Sequence, residues 1–336
     1  MTVRIGVIGV GALGHHHARI LRGVEGATMV GFHESNAERA AKVAGDLGLR
    51  AFGSEEELLA AVDAVTIVVP TPAHFGVASK ALEAGKHVLV EKPIATTLDE
   101  ADRMLAIAER KGVLVQTGHV ERFNRAIRGA LQFVDQPRFI ESDRLAPFNP
   151  RGSDVAVVLD LMIHDIDLVQ TLVGAPVTDV AATGVPVLTP FVDIANARLT
   201  FASGAVANIT ASRVSRERMR KIRLFQPTGY LSLDLGSGTG EFYHLKRGLD
   251  LAAFVRDAQG AQALEQFVER TPIDAPEGDA LTLELQSFVD AIRGKAPVPV
   301  SGQAGREALA VALKIVSEIE RGMPAMRRPA AVPARA

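Results

Sequence analysis

Short apolar runs alternate with longer amphipathic segments from Met1 to about Gly118. The apolar runs have the length of buried strands, and they predict strands at Val3–Val10, Thr28–His33, Arg50–Phe52, Ala64–Val69, His87–Val90 and Val113–Thr117. The segments between them predict helices at Ala12–Gly23, Ala37–Leu47, Ser54–Ala61, Phe75–Ala84 and Leu98–Lys111. A regular succession of strand and helix is typical of an α/β domain with a parallel sheet.

The pattern changes after His119. Helices are predicted at Asn124–Phe133, Val155–Leu172, Leu281–Arg293 and Gly302–Glu320. Strands are predicted at Phe139–Leu145, Val177–Val187, Asp193–Phe201, Ala205–Ser212, Lys221–Gln226 and Tyr230–Asp234. Strands in succession predict a second α/β domain with a large open mixed or antiparallel sheet, covered by helices on one face. We expect domains at 1–120 and 121–323 and a flexible tail at 324–336.

Three glycines after the first strand have the spacing G-x-G-x-x-G: Gly9, Gly11 and Gly14. Gly9 permits a tight turn, Gly11 lets the backbone approach a pyrophosphate, and Gly14 lets helix and strand pack closely. Ala12 and Leu13 begin the helix, whose free N–H groups and dipole favour a phosphate. The first domain is therefore predicted to be a Rossmann domain that binds a dinucleotide.

The second strand is followed by Glu34, roughly 20 residues past the last glycine, where an acidic side chain binds the adenosine ribose hydroxyls. A carboxylate repels a 2′-phosphate, so Glu34 predicts NAD as the cofactor rather than NADP. Arg39 lies close by in the sequence and leaves NADP as the alternative.

Lys92 follows the predicted strand His87–Val90, in the triplet Glu91-Lys92-Pro93. Ligands of open α/β sheets bind beyond the carboxyl ends of the strands, so a lysine there faces a bound cofactor. Pro93 fixes the backbone immediately after it. In combination with the glycine fingerprint, this lysine indicates a dehydrogenase.

The helix predicted at Val155–Leu172 is apolar nearly all round and therefore buried. Asp160, His164, Asp167 and Thr171 lie on one face of it, at i, i+4, i+7 and i+11. Unpaired buried polar groups cost several kcal/mol, so this stripe needs partners or a cavity. His164 can act as a base near neutral pH, and Asp160 can orient it. The alternative is a structural Asp–His network that anchors the helix.

Composition narrows the functional classes. The 336 residues carry a net charge of −2, which gives no reason to expect nucleic acid or an anionic membrane as partner. Cysteine is absent, which excludes disulfides and thiol chemistry and fits a cytoplasmic location. The first apolar stretch is too short to span a bilayer. His15, His16 and His17 point about 100° apart on a helix and cannot all bind one metal, so no metal site is expected.

Several of these motifs resemble the Gfo/Idh/MocA oxidoreductase family. The resemblance rests on Gly9–Gly14, Val69–His74, the Glu91-Lys92-Pro93 triplet, the Asp160/His164 pair and Glu284–Gly302. It implies that Lys92, Asp160 and His164 are catalytic. It also implies cofactor contacts from Pro70, Thr71, His74, Glu91 and Lys92, and a homodimer or homotetramer formed through the open sheet.

Four further segments, Gly118–Asn124, Arg138–Gly152, Val157–Asp167 and Val192–Phe201, resemble members of that family that act on a UDP-sugar. This resemblance implies oxidation of the C3 hydroxyl of UDP-N-acetylglucosamine to a ketone, which an aminotransferase would convert to an amine for a lipid A-type diamino sugar. Arg122, Asn124, Asn149, Arg151 and Arg213 are the candidate substrate-binding residues. The alternatives are a dehydrogenase of another sugar or polyol, or a ligand-sensing regulator.

Overall fold

The computed structural model describes residues 2–149, 152, 155–246 and 267–323. The chain forms two compact units, Met1–Phe123 with Gly278–Ala310, and Asn124–Glu277 with Val311–Ala336. The first unit thus contains two separate stretches of chain, whereas the sequence pattern predicts that all of 121–323 belongs to the second domain. The predicted tail at 324–336 lies outside the described residues.

The first unit is built around a parallel sheet. Its strands are β1 (Val3–Ile8), β2 (Ala27–His33), β3 (Ala51–Phe52), β4 (Ala64–Ile67), β5 (His87–Glu91) and β6 (Val115–Gly118), in the order β3-β2-β1-β4-β5-β6. The connecting helices are α1 (Ala12–Leu21), α2 (Ala37–Leu47), α3 (Glu55–Ala61), α4 (Thr71–Glu83) and α5 (Leu98–Lys111). Strand order and parallel pairing confirm the predicted Rossmann architecture.

A helix from the end of the chain completes the core of the first unit. Leu285, Phe288 and Val289 lie on α8 (Ala280–Ile292) and belong to the same buried cluster as residues of β1 and α1. The Gln286 side chain also accepts a hydrogen bond from the Glu25 backbone N–H at 2.9 Å and donates to the Glu25 carbonyl at 3.1 Å. This packing joins 278–310 to the first unit, and the division between the units falls within α9 (Gly302–Gly322).

The second unit contains a mixed sheet. Its elements are α6 (Arg125–Ala130), β7 (Phe139–Leu145), α7 (Ile163–Val173), β8 (Val177–Val185), β9 (Ile194–Phe201), β10 (Val206–Ser212), β11 (Met219–Gln226), β12 (Gly229–Asp234), β13 (Thr239–Leu245) and β14 (Val268–Ile273). The order is β14-β13-β12-β11-β7-β10-β9-β8. β7 and β10 pair in parallel and the other neighbours are antiparallel, so the expectation of a mixed sheet is confirmed.

The two faces of this second sheet have different environments. Residues alternate between buried and exposed along β9 and β11, and α7 packs against β7 and β10 on the buried face. The sequence did not predict β13 or β14. β14 contains Pro272, which cannot donate to a ladder and is tolerated here because β14 is the edge strand.

Over the described part of the chain, every helix is too short or too polar to cross a bilayer.

Candidate functional site

The turn between β1 and α1 has the backbone geometry of a phosphate site. Gly9 has φ of 86°, in the left-handed region that favours glycine. A Cβ at Gly14 would lie 1.9 Å from the Gly9 carbonyl oxygen, whereas a Cβ at Gly11 would meet nothing within 4 Å. Gly11 is the N-cap of α1 and no side chain caps the helix there. The first N–H groups of α1, beginning with Ala12 and Leu13, therefore fit a pyrophosphate.

Glu34 lies beside this turn, at the end of β2. Its Oε2 accepts a hydrogen bond from the Val10 backbone N–H at 3.0 Å, and its Oε1 accepts one from the Asn36 N–H at 3.0 Å. Burial raises the pKa of Glu34, but these hydrogen bonds and the Arg39 charge outweigh burial, and the pKa lies below its usual value. Glu34 is thus a carboxylate at neutral pH. The Arg39 guanidinium lies 3.4 Å from it, so both candidate specificity residues form one pair.

Lys92 is placed by the buried strand β5 and is itself half-buried. The backbone after it is tied to α4, since the His74 ring lies with Nδ1 2.8 Å from the Pro93 carbonyl oxygen and Nε2 2.9 Å from that of Val69. His74 is 1% exposed and burial lowers its pKa. Both ring nitrogens face protein carbonyls, and the cofactor contact expected of His74 stays a prediction. The ring holds the Lys92 segment.

Pro70 and Thr71 lie at the start of α4, which follows the carboxyl end of β4. Because β4 and β5 are parallel neighbours, this is also the edge of the first sheet at which β5 ends. Pro70 is the N-cap residue and is exposed, and Thr71 is the first residue of the helix and half-buried. These two candidates are therefore accessible to a ligand, unlike His74.

Asp160 and His164 lie on consecutive turns in the second unit. Asp160 belongs to a π-helical turn, Val158–Met162, that leads into α7, and His164 is the second residue of α7. Both are half-buried, while Asp167 is buried and Thr171 is exposed with its hydroxyl bonded to the Asp167 carbonyl at 2.8 Å. The polar stripe thus separates into a partly accessible pair and a structural pair. π-Helical turns occur often at functional sites.

A buried ion pair anchors α7 next to His164. Nε of Arg144 donates to Asp165 at 2.6 Å, and the Ser142 hydroxyl donates to the same carboxylate at 3.1 Å. This pair was not among the sequence-based predictions. The alternation of side chains along β7 could have revealed it, because Ile140, Ser142 and Arg144 are two residues apart and therefore share the buried face of the strand.

Arg213 is buried and has its hydrogen bonds inside the protein. Its guanidinium donates to the carbonyls of Gly152 at 2.5 Å and Val155 at 2.6 Å, and its Nε lies 3.7 Å from Asp193. Gly152, with φ of 78°, lies so close to Asp160 that a Cβ there would be 2.7 Å from the Asp160 carboxylate. These contacts hold the Arg213 guanidinium within the second unit, and its assignment to the substrate stays a prediction. Arg213 holds the backbone at Gly152, which lies beside Asp160, and at Val155.

The Asp193 carboxylate completes this arrangement. Its Oδ2 accepts hydrogen bonds from three successive backbone N–H groups, at 2.8, 2.7 and 2.9 Å, and its Oδ1 accepts one from the Thr189 hydroxyl. Burial raises the pKa of Asp193, but these hydrogen bonds hold it below its usual value. The resulting anion is the charge that balances Arg213.

The other substrate candidates lie in different places. Asn124 caps α6 by accepting from the Ala126 N–H at 3.0 Å and donates to the Leu235 carbonyl at 2.9 Å, and its role as a substrate ligand stays a prediction. Arg122 belongs to the first unit and donates to the Pro299 carbonyl at 3.1 Å. Asn149 is exposed in the second unit. Arg151 lies outside the described residues.

No group of three or more potential metal ligands occurs in the described ranges.

A Rossmann unit with an uncapped glycine turn, together with a second unit built on a large mixed sheet, defines a two-domain dinucleotide-dependent oxidoreductase. Residues 3–119 match the protein-family model for the Gfo/Idh/MocA oxidoreductase family with an NAD-binding Rossmann fold. Residues 133–232 match the family model for the GFO/IDH/MocA C-terminal domain. The chain belongs to the Gfo/Idh/MocA family. The predictions of the family and of NAD as cofactor are confirmed.

Several relatives are named as dehydrogenases of sugars or polyols. The chain is 42% identical to the UDP-N-acetylglucosamine 3-dehydrogenase of Acidithiobacillus ferrooxidans, over 95% of this chain and 97% of that one. A solved structure of that enzyme has a TM-score of 0.86 at 40% identity, with 96% and 99% of the chains covered. The scyllo-inositol 2-dehydrogenase (NAD(+)) of Bacillus subtilis is 28% identical, over 96% of this chain and 95% of that one.

The role of Arg213 can be tested by Arg213→Leu. This variant leaves Asp193 as an unpaired buried charge, so we expect a loss of stability of about 3–5 kcal/mol. Thermal melting should show this loss, and Arg218→Leu, in the exposed part of the same basic segment, should melt like the wild type. A substrate ligand would behave in the opposite way, with an unchanged melting temperature and a raised KM for the sugar.

Cofactor choice is expected to depend on Glu34. Glu34→Ala removes the carboxylate that repels a 2′-phosphate and releases Arg39, so the preference for NAD over NADP should narrow by about tenfold, or about 1.4 kcal/mol. Fluorescence titration with both reduced cofactors measures this preference. Glu38→Ala, at an exposed position in the first turn of α2, is the control. Equal affinity of the wild type for both cofactors would refute the assignment.

Proposed function

We propose that this chain oxidises the C3 hydroxyl of UDP-N-acetylglucosamine to a ketone, with NAD as the hydride acceptor. The observation that carries the proposal is 42% identity over 95% of the chain to an enzyme named UDP-N-acetylglucosamine 3-dehydrogenase. The glycine turn, Glu34, Lys92, Asp160 and His164 supply the groups that such a reaction requires. The 3-keto sugar is a substrate for an aminotransferase. Participation in lipid A synthesis and a cytoplasmic location stay predictions.

The reaction removes a proton from the hydroxyl and a hydride from the carbon. When NAD is bound, its nicotinamide ring accepts the hydride. His164 takes the hydroxyl proton, because an imidazole can accept a proton near neutral pH. The Lys92 ammonium donates a hydrogen bond to the same oxygen and stabilises the negative charge that develops on it. Asp160, one turn before His164, orients the imidazole.

The diphosphate of the substrate needs cationic and amide partners. Arg122, Asn149 and Arg151 keep this proposed role, because Arg213 and Asn124 have their polar groups bonded within the second unit. An arginine is well suited to a diphosphate since its planar guanidinium forms two parallel hydrogen bonds.

A second candidate function is the oxidation of a free polyol, which the 28% identity to a scyllo-inositol 2-dehydrogenase supports. A screen that follows NADH production from UDP-N-acetylglucosamine, other UDP-sugars and inositols distinguishes the two. Turnover of any of these compounds would exclude a purely ligand-sensing regulator.

The catalytic roles predict large and specific losses. Lys92→Met and His164→Ala should each lower kcat/KM by roughly 10²–10⁴, because each removes a group that acts in the transition state. NAD affinity and melting temperature should stay near the wild-type values, as for the exposed control Lys42→Met. Asp160→Asn should cost less if Asp160 only orients His164. If the Lys92 and His164 variants fold, bind NAD and turn over substrate at the wild-type rate, the proposed mechanism is contradicted.

We also propose that the chain forms a homodimer or homotetramer through the face of the second sheet opposite α7. An aromatic row crosses four strands there, with ring centroids 5.6 Å apart for Phe139 and Phe225, 4.8 Å for Phe225 and Tyr230, and 5.5 Å for Tyr230 and Tyr243. Phe225 is 37% exposed. A second copy of the same face would cover this row by a two-fold contact.

Light scattering should therefore give at least twice the mass of the chain at micromolar concentration. Phe225→Glu should lower the mass, because it places a charge in the proposed contact. Arg218→Glu, an exposed residue outside the row, should leave it unchanged. A stable wild-type monomer would contradict the proposal.

A further inference from the structure

A buried carboxylate immediately precedes Lys92. The Glu91 side chain is 11% exposed, and its Oε1 lies 3.2 Å from Nε2 of His17, which is completely buried on α1. Its Oε2 accepts a hydrogen bond from the Lys92 backbone N–H at 3.3 Å. Both carboxylate oxygens thus have partners within the first unit, which directs the carboxylate into the protein.

The neighbouring strand fixes this carboxylate from another side. A Cβ at Gly118, the last residue of β6, would lie 2.8 to 3.0 Å from the carboxylate atoms of Glu91. Carbon atoms of real side chains do not approach so closely, so the absence of a side chain at Gly118 leaves the space that Glu91 fills. The carboxylate is therefore held by α1, by β6 and by its own backbone.

The charges around Glu91 favour its ionised form. Burial raises its pKa, but the imidazole of His17 at 3.2 Å, with smaller effects of Lys92 and His74, holds the pKa of Glu91 below its usual value. The attraction between a carboxylate and an ammonium group is mutual, so an ionised Glu91 also favours the protonated form of Lys92.

We propose that Glu91 and His17 are positioning residues for Lys92. His17 orients the Glu91 carboxylate, and the carboxylate fixes the Lys92 backbone and stabilises the ammonium group that the reaction uses. This inference rests on the proposed function, in which Lys92 donates to the reacting oxygen. It gives Glu91 a task other than the cofactor contact that the family resemblance implies, and it gives the fully buried His17 a role in the reaction rather than in packing alone.

Four variants test the inference. Glu91→Gln keeps the shape and removes the charge, and Gly118→Ala keeps the charge and displaces the carboxylate. His17→Leu removes the partner of Glu91, and His17→Gln restores a donor. Two controls match them. Glu83→Gln removes an exposed charge on α4, and His87→Gln changes a histidine at the opposite end of β5.

The first readout is the pH dependence of UDP-N-acetylglucosamine oxidation at saturating NAD. In Glu91→Gln the alkaline limb should move to lower pH, because Lys92 loses its proton more easily without the carboxylate, and kcat/KM should fall about 10- to 100-fold. His17→Leu and Gly118→Ala should lower kcat/KM in the same way, and His17→Gln should recover most of it. The controls should match the wild type.

The second readout needs no substrate. In protein labelled with ¹³C-lysine, the Lys92 resonance is identified by its absence in Lys92→Met, and its titration should move to lower pH in Glu91→Gln. If the wild type does not oxidise UDP-N-acetylglucosamine but this titration moves, the proposed function fails and the inference stands. An unchanged titration and alkaline limb in folded Glu91→Gln, or a loss confined to NAD affinity, would overturn the inference. Should His17→Leu not fold, His17→Gln and Gly118→Ala still decide.

Discussion

The close approach of α1 to the carbonyl of Gly9 is the constraint on which the first unit depends. A single methyl group at Gly14 would lie 1.9 Å from that oxygen, so helix and turn meet with no space between them. The contact leaves the N-terminal N–H groups of α1 free for a phosphate. It also carries His17, three residues further along, into contact with Glu91. One packing distance thus fixes both the cofactor turn and the backbone at Lys92.

Buried charged pairs lie next to the candidate catalytic residues of the second unit. Asp165 pairs with Arg144 beside His164, and Asp193 pairs with Arg213, which binds the Gly152 carbonyl next to Asp160. Such pairs add little net stability, because desolvation offsets their attraction, but removal of one partner is costly. We interpret them as constraints on geometry. An apolar core would tolerate small shifts of α7, whereas a hydrogen-bonded ion pair has one satisfactory arrangement.

The sequence predicts features whose signals are local. The glycine turn, Glu34, and the placement of Lys92 after β5 each follow from a short pattern with one physical cause. Arg213 and Asn124 could not be assigned in this way, because a buried arginine that binds backbone carbonyls has the same sequence signal as one that binds a diphosphate. The return of α8 to the first unit depends on contacts between residues more than 250 positions apart, and the amphipathic pattern of a helix does not identify its partner.

The packing of α8 into the core of the first unit affects how that unit can fold while the chain is synthesised. Residues such as Phe288 complete a core whose other members lie in the first strands and helices, so the first unit is made before the side chains that close it exist. Domains generally fold as units from the N-terminus as they leave the ribosome. Here the nucleotide-binding unit exposes an apolar surface until the last part of the chain has emerged. The second unit is complete in sequence earlier, apart from the C-terminal half of α9.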